Sequence, residues 1–89
     1  MKIVLNVCFG GFHIPQEFCE IHGLNQHDYI DRTNPDLVKF VELHGGVYEE
    51  GFSMLKVVEI PDDCTDWELN EYDGAESITY VVGGKLYHI

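Results

Sequence analysis

Apolar and polar positions at the start of the chain fall into a two-residue rhythm. Ile3, Leu5 and Val7 share one side of an extended segment, and Val4, Asn6 and Cys8 share the other. Residues 2–8 are therefore expected to form a strand, apolar on both faces and central in its sheet, ended by Gly10-Gly11. The spacing then lengthens. Ile14, Phe18 and Ile21 recur at helical intervals behind Pro15, whose missing N–H costs nothing in a first turn, and Gly23 is a natural terminator. Residues 24–33 are polar and read as a loop. Asn34-Pro35-Asp36 is a strong helix start: a capping side chain, a proline at the first helical position and an acid where the helix dipole favours one. Leu37, Phe40, Val41 and His44 form one face of that second helix, and Gly45-Gly46 stops it.

From there the period returns to two. Residues 54–60 read as a strand closed by Pro61, and residues 67–72 alternate. Asp73-Gly74 is a two-residue hairpin turn, after which residues 78–82 run back; Gly83-Gly84 turns the chain once more into residues 85–89. The order β-α-α-β-β-β-β predicts one α+β domain spanning residues 1–89. Its sheet should be about five-stranded and mainly antiparallel, with two short helices on one face.

Composition supports a folded domain. With 89 residues, 45% hydrophobic and 12% aromatic, the chain is too apolar for a disordered segment. A folded chain of this mass should expose roughly 5,300 Å² and bury about 64% of its unfolded surface, enough for a core with little to spare. No apolar run is long enough for a membrane span, and the amino-terminal run lacks the features of a secretory signal, so the cytoplasm is the expected compartment. Three cysteines in no Cys-x-x-Cys spacing point to reduced thiols.

Charge changes the picture most. Sixteen acids against five bases give a net charge of −11. Residues 57–84 carry eight of those acids and no Lys or Arg. Such a field repels nucleic acid and anionic membranes and favours cationic partners. Glu68, Asn70 and Tyr72 should share the sheet face opposite Trp67 and Leu69, where side chains repeat about every 7 Å along a strand. Asp62, Asp63, Asp66, Glu68, Glu71, Asp73 and Glu76 are thus the candidate protein-binding residues. Solubility alone is the competing explanation for their number.

Other constellations are weaker. Cys8, His13, Cys19 and His22 have zinc-capable side chains, but their spacing matches no zinc knuckle and they span a strand, a loop and a helix. The acid run lacks the glycine of a calcium loop, and neither Gly-x-Ser-x-Gly nor His-Glu-x-x-His occurs. The expectation is a non-enzyme with no metal or cofactor. Phe9-Gly10-Gly11-Phe12 is either an ordinary sharp turn or a ligand loop. In the second reading the glycines let the backbone approach, the aromatics stack a base, and Arg32 or Lys2 meets phosphate.

Three stretches carry a resemblance. Asn6-x-Cys8-Phe9-Gly10-Gly11-Phe12 opens the chain, and the run from Arg32 through Thr33-Asn34-Pro35-Asp36-Leu37-Val38 starts the second helix. Leu55-Lys56-Val57-Val58-Glu59-Ile60-Pro61-Asp62-Asp63 follows, with Glu71-Tyr72-Asp73-Gly74. In this order they resemble a family of small, functionally unassigned proteins encoded by tailed bacteriophages and prophages. The chain departs from that pattern at Cys64-Thr65 and in its last eight residues. The resemblance implies action inside the host cell during infection and no catalytic residues. Combined with the acid run, it leads to an anti-defence or host-modulating inhibitor that binds a basic surface of a host protein. A binder of a small nucleotide immune signal, using Phe9, Gly10, Gly11, Phe12 and Arg32, is the alternative. A self-associating virion or assembly component is the third.

Overall fold

A computed structural model describes residues 1–49 and 53–89. Its elements are β1 (Lys2–Asn6), α1 (Gln16–His22), α2 (Pro35–Leu43), β2 (Val47–Glu49), β3 (Ser53–Glu59), β4 (Asp66–Tyr72), β5 (Ala75–Val82) and β6 (Lys85–His88). The exposed surface of 5610 Å² is close to that expected for the mass.

The α+β class holds, but the single five-stranded sheet does not. Among the described residues six strands form two three-stranded antiparallel sheets, ordered β1-β3-β2 and β4-β5-β6. The chain changes sheets at Pro61, where a turn closed by Cys64 N–H on the Pro61 carbonyl (3.2 Å) lifts it out of the first ladder. Alternation along β4 and β5 shows which side chains are buried, and is the same whether a hairpin extends a sheet or stacks on it.

The result is three layers. Val4 and Leu55 on one face of the first sheet pack with Ile14, Phe18 and Cys19 of the α1 region and Leu37, Val38 and Val41 of α2. Ile3 and Leu5 on the other face pack with Ile60 and Ile78, flanked by Trp67, Leu69 and Tyr80 of the second sheet. β1 is thus buried on both faces, as its pattern predicts, yet it is an edge strand by hydrogen bonding and not a central one. Its outer edge is closed by other means. Val4 N–H donates to the Arg32 carbonyl and Asn6 N–H to the Glu76 carboxylate, each at 2.8 Å, and such covering removes a template for unwanted strand pairing.

The helices follow their local signals with two corrections. Gly23 ends α1 in the left-handed conformation (φ +69°), its N–H bonded to the Cys19 carbonyl. Ile21 is 64% exposed, however, and Cys19 takes its place in the core. In α2, Leu37 and Val41 are buried as expected and Val38 joins them, while His44 is exposed and packs on Phe40. Asn34 Oδ1 accepts from the N–H groups of Asp36 and Leu37, at 2.9 and 3.2 Å. Replacing Asn34 with alanine should cost about 1 kcal/mol and lower the unfolding midpoint by roughly 4–8 °C, read by thermal denaturation. β2 was not expected, because three residues after a glycine pair are too few for a periodic signal.

Candidate functional site

The acid-rich hairpin is built as its pattern predicts on one point. β4 and β5 pair with Glu68 opposite Thr79 and Asn70 opposite Ser77. Asp66, Glu68, Asn70 and Tyr72 therefore share the outer face, while Trp67 and Leu69 turn inward to the core. Asp73 (φ +50°) and Gly74 (φ +90°) make the tight turn, both in the left-handed region that a two-residue hairpin of this type requires.

The seven candidate carboxylates do not form one surface. Asp63, Asp66 and Glu68 are exposed and, among the described residues, form no ion pair. Asp62 sits against the Met1 ammonium, whose hydrogen bond and charge hold its carboxyl below the ordinary aspartate value. Glu71 lies at the far end of β4, where its carboxylate accepts from Gly74 N–H at 2.8 Å and closes the turn beside Asp73. Glu76 is withdrawn from the surface altogether. Its side chain is 5% exposed, and its two oxygens face the Arg32 guanidinium, Oε2 at 2.8 Å from Nη2. Glu71 and Asp73 are exposed at the turn end of the hairpin, whereas Asp63, Asp66 and Glu68, with Asp62 alongside, are exposed toward the start of β4.

The Asp62 contact has a pH signature. A depressed carboxyl value means stability that is present above the ordinary aspartate range, near pH 4, and lost as pH falls through the folded value. The unfolding midpoints of wild type and Asp62→Asn should therefore differ near neutrality, and the gap should narrow as pH falls below about 4. A gap that stays constant through that fall would show that it does not come from the ionised Asp62 carboxylate.

The glycine loop is closed, not open. Gly74 packs so tightly against it that a Cβ there would lie 2.4 Å from Gly11 N and 2.9 Å from the Phe9 carbonyl oxygen. Asn6, fully buried, locks the junction: Nδ2 donates to the carbonyls of Cys8 and Gly74, each at 2.8 Å, and Oδ1 accepts from Met54 N–H at 2.9 Å. Phe9 stands 70% exposed, whereas Phe12 lies under Arg32, whose guanidinium carbon is 3.5 Å from the ring centre. Residues 12–15 intervene before α1, so the glycine pair does not lead straight into a helix N-terminus.

Arg32, Phe12 and the Asn6–Gly74–Glu76 cluster thus form one junction joining β1, the loop before α2 and the β4–β5 turn. Asn6, Gly11, Arg32 and Gly74 meet there. Their geometry accounts for them as a fold lock. Sequence reasoning missed this role, although Glu76 shares strand parity with Ile78 and Tyr80, which was a readable sign that it points inward.

Among the described residues no group of three or more His, Cys, Asp or Glu is placed to hold a metal. Cys19 is buried and Cys8 half-buried, His22 stacks on Phe18, and His13 packs against His27. No described helix is long and apolar enough to cross a membrane. No family model, curated protein or solved structure matches the chain.

Proposed function

We propose that the protein is an accessory protein of a tailed bacteriophage or prophage that acts in the host cytoplasm by binding a basic surface of a host protein, as an anti-defence or host-modulating inhibitor. The reading asks for occupancy and no reaction. The observation that carries it is the group Asp63, Asp66 and Glu68: exposed, unpaired among the described residues, and lying in a stretch, residues 57–84, with no Lys or Arg to neutralise it. Asp66 and Glu68, held on a paired strand, are spaced and oriented in advance, which lowers the ordering cost of meeting Lys and Arg on a partner. The small-nucleotide alternative has less behind it, since Arg32 already carries a bidentate carboxylate and Lys2 is paired with Glu42.

The variant Asp63→Asn/Asp66→Asn/Glu68→Gln should bind a captured host partner roughly tenfold more weakly at low salt, each exposed pair contributing a few tenths of a kcal/mol to about 1 kcal/mol. Its unfolding midpoint should stay at or slightly above that of wild type, because like charges have been removed. Undiminished partner affinity in the triple variant would remove these carboxylates from the interface.

A further inference from the structure

On the inner side of β4 a groove of about 330 Å³ lies between that strand and the loop before α2. Its walls include Phe12, Asp28, Tyr29, Asp31, Trp67 and Leu69. We infer that this groove receives an arginine side chain of the basic partner, with its guanidinium on the aromatic walls and against Asp28 and Asp31. The inference rests on the proposed binding of a basic surface and names where that surface would be anchored.

Charge selects the sign of the occupant. Arg32 also lines the groove, but Glu76 accepts from both of its terminal nitrogens and Phe12 covers one of its faces, so its charge is already matched. Asp28 and Asp31 are exposed. Asp28 accepts from Asn25 N–H at 2.9 Å and Asp31 from the Thr33 hydroxyl at 3.3 Å, which leaves each carboxylate further acceptor capacity. The groove is therefore net acidic and refuses a phosphate.

Aromatic surface selects arginine over lysine. Trp67, half-buried, and Tyr29, 90% exposed, offer faces on which a planar guanidinium stacks while its edge bonds a carboxylate in forked geometry. An exposed tyrosine of this kind is also a residue type that anchors interfaces. Tyr29 and Asp31 border a second groove of about 360 Å³, where Asp36 adds another carboxylate, so the acidic character continues past the ring. Trp67 and Leu69 lie on the face of edge strand β4 opposite Asp66 and Glu68. A partner gripping that edge would meet the groove on one side and the outer carboxylates on the other.

The test is titration of the full ¹⁵N-labelled chain with the capped peptide Gly-Arg-Gly-Arg-Gly and its Lys and Glu counterparts at low salt. Trp67, the single tryptophan, supplies an indole N–H signal inside the groove. The expected result is saturable shifts at residues 28–31, Leu69 and the Trp67 indole. The Arg peptide should bind at least about threefold more tightly than the Lys peptide, and the Glu peptide should give no shifts. Tyr29→Ala and Asp31→Asn should each weaken the Arg peptide about threefold or more, with the unfolding midpoint unchanged, since both side chains are exposed. Shifts confined to residues 62–66 and Glu68, or equal affinity for Arg and Lys, would overturn the groove assignment while leaving the outer carboxylates as the interface. Shifts in neither region would overturn the groove assignment and count against the outer carboxylates as well.

Discussion

Glu76→Ala is expected to cost about 3 kcal/mol and lower the unfolding midpoint by roughly 12–24 °C, the largest effect of any carboxylate substitution in the chain. The whole domain has only about 4–13 kcal/mol to lose. The change strands two groups at once: the Arg32 guanidinium, whose side chain is 20% exposed, and the outward N–H of Asn6 on edge strand β1. Removing one member of such a pair leaves an uncompensated charge in a poorly solvated place, which costs more than the pair contributes as a unit. The double variant Arg32→Ala/Glu76→Ala should therefore lose less than the sum of the two single losses, by on the order of 1–3 kcal/mol. Additive losses would mean that the two side chains act independently. Asp66→Asn and Glu68→Gln, both on the surface, should change stability by less than about 0.5 kcal/mol.

Gly74→Ala is expected to cost about 2–4 kcal/mol, from two sources that can be separated. The first is conformational, since φ is +90° there. The second is steric: the added carbon would lie 2.4, 2.8 and 2.9 Å from Gly11 N, Gly11 Cα and the Phe9 carbonyl oxygen, all backbone atoms with no rotamer to change. Gly84→Ala is the control, because Gly84 has φ +76° and open space where its Cβ would go. It should lose only the conformational part, on the order of 1 kcal/mol. Equal losses in urea unfolding would show that the hairpin turn and the glycine loop are not pressed together.

These two substitutions fall on the parts of the molecule hardest to read from the chain. Local signals were legible: the Asn34 cap, the Gly23 terminator and the Asp73-Gly74 turn each depend on a few neighbouring residues. The in-and-out alternation of β4 was legible too, because a pleated strand has no other period. The stacking of the second sheet was not, since both arrangements bury Trp67, Leu69 and Ile78. The Arg32–Glu76 pair links positions 44 residues apart, so strand parity could turn Glu76 inward but could not name its partner. The same distance hid the groove, because a polar loop at residues 28–31 acquires meaning only when Trp67 and Leu69 are brought beside it. Three of the seven candidate acids, Asp63, Asp66 and Glu68, thus keep the proposed surface role, and Glu71 and Glu76 become parts of the fold.

The most direct test of the binding account compares how partner affinity depends on salt for wild type and for Asp63→Asn/Asp66→Asn/Glu68→Gln. A host protein captured from lysate and then purified would be titrated from about 50 to 500 mM salt, a range over which the screening length falls to a few ångströms. The account predicts a steep loss of wild-type affinity with salt and a clearly flatter dependence for the triple variant, the two converging at high salt. Parallel dependences, or a wild-type affinity indifferent to salt, would contradict it.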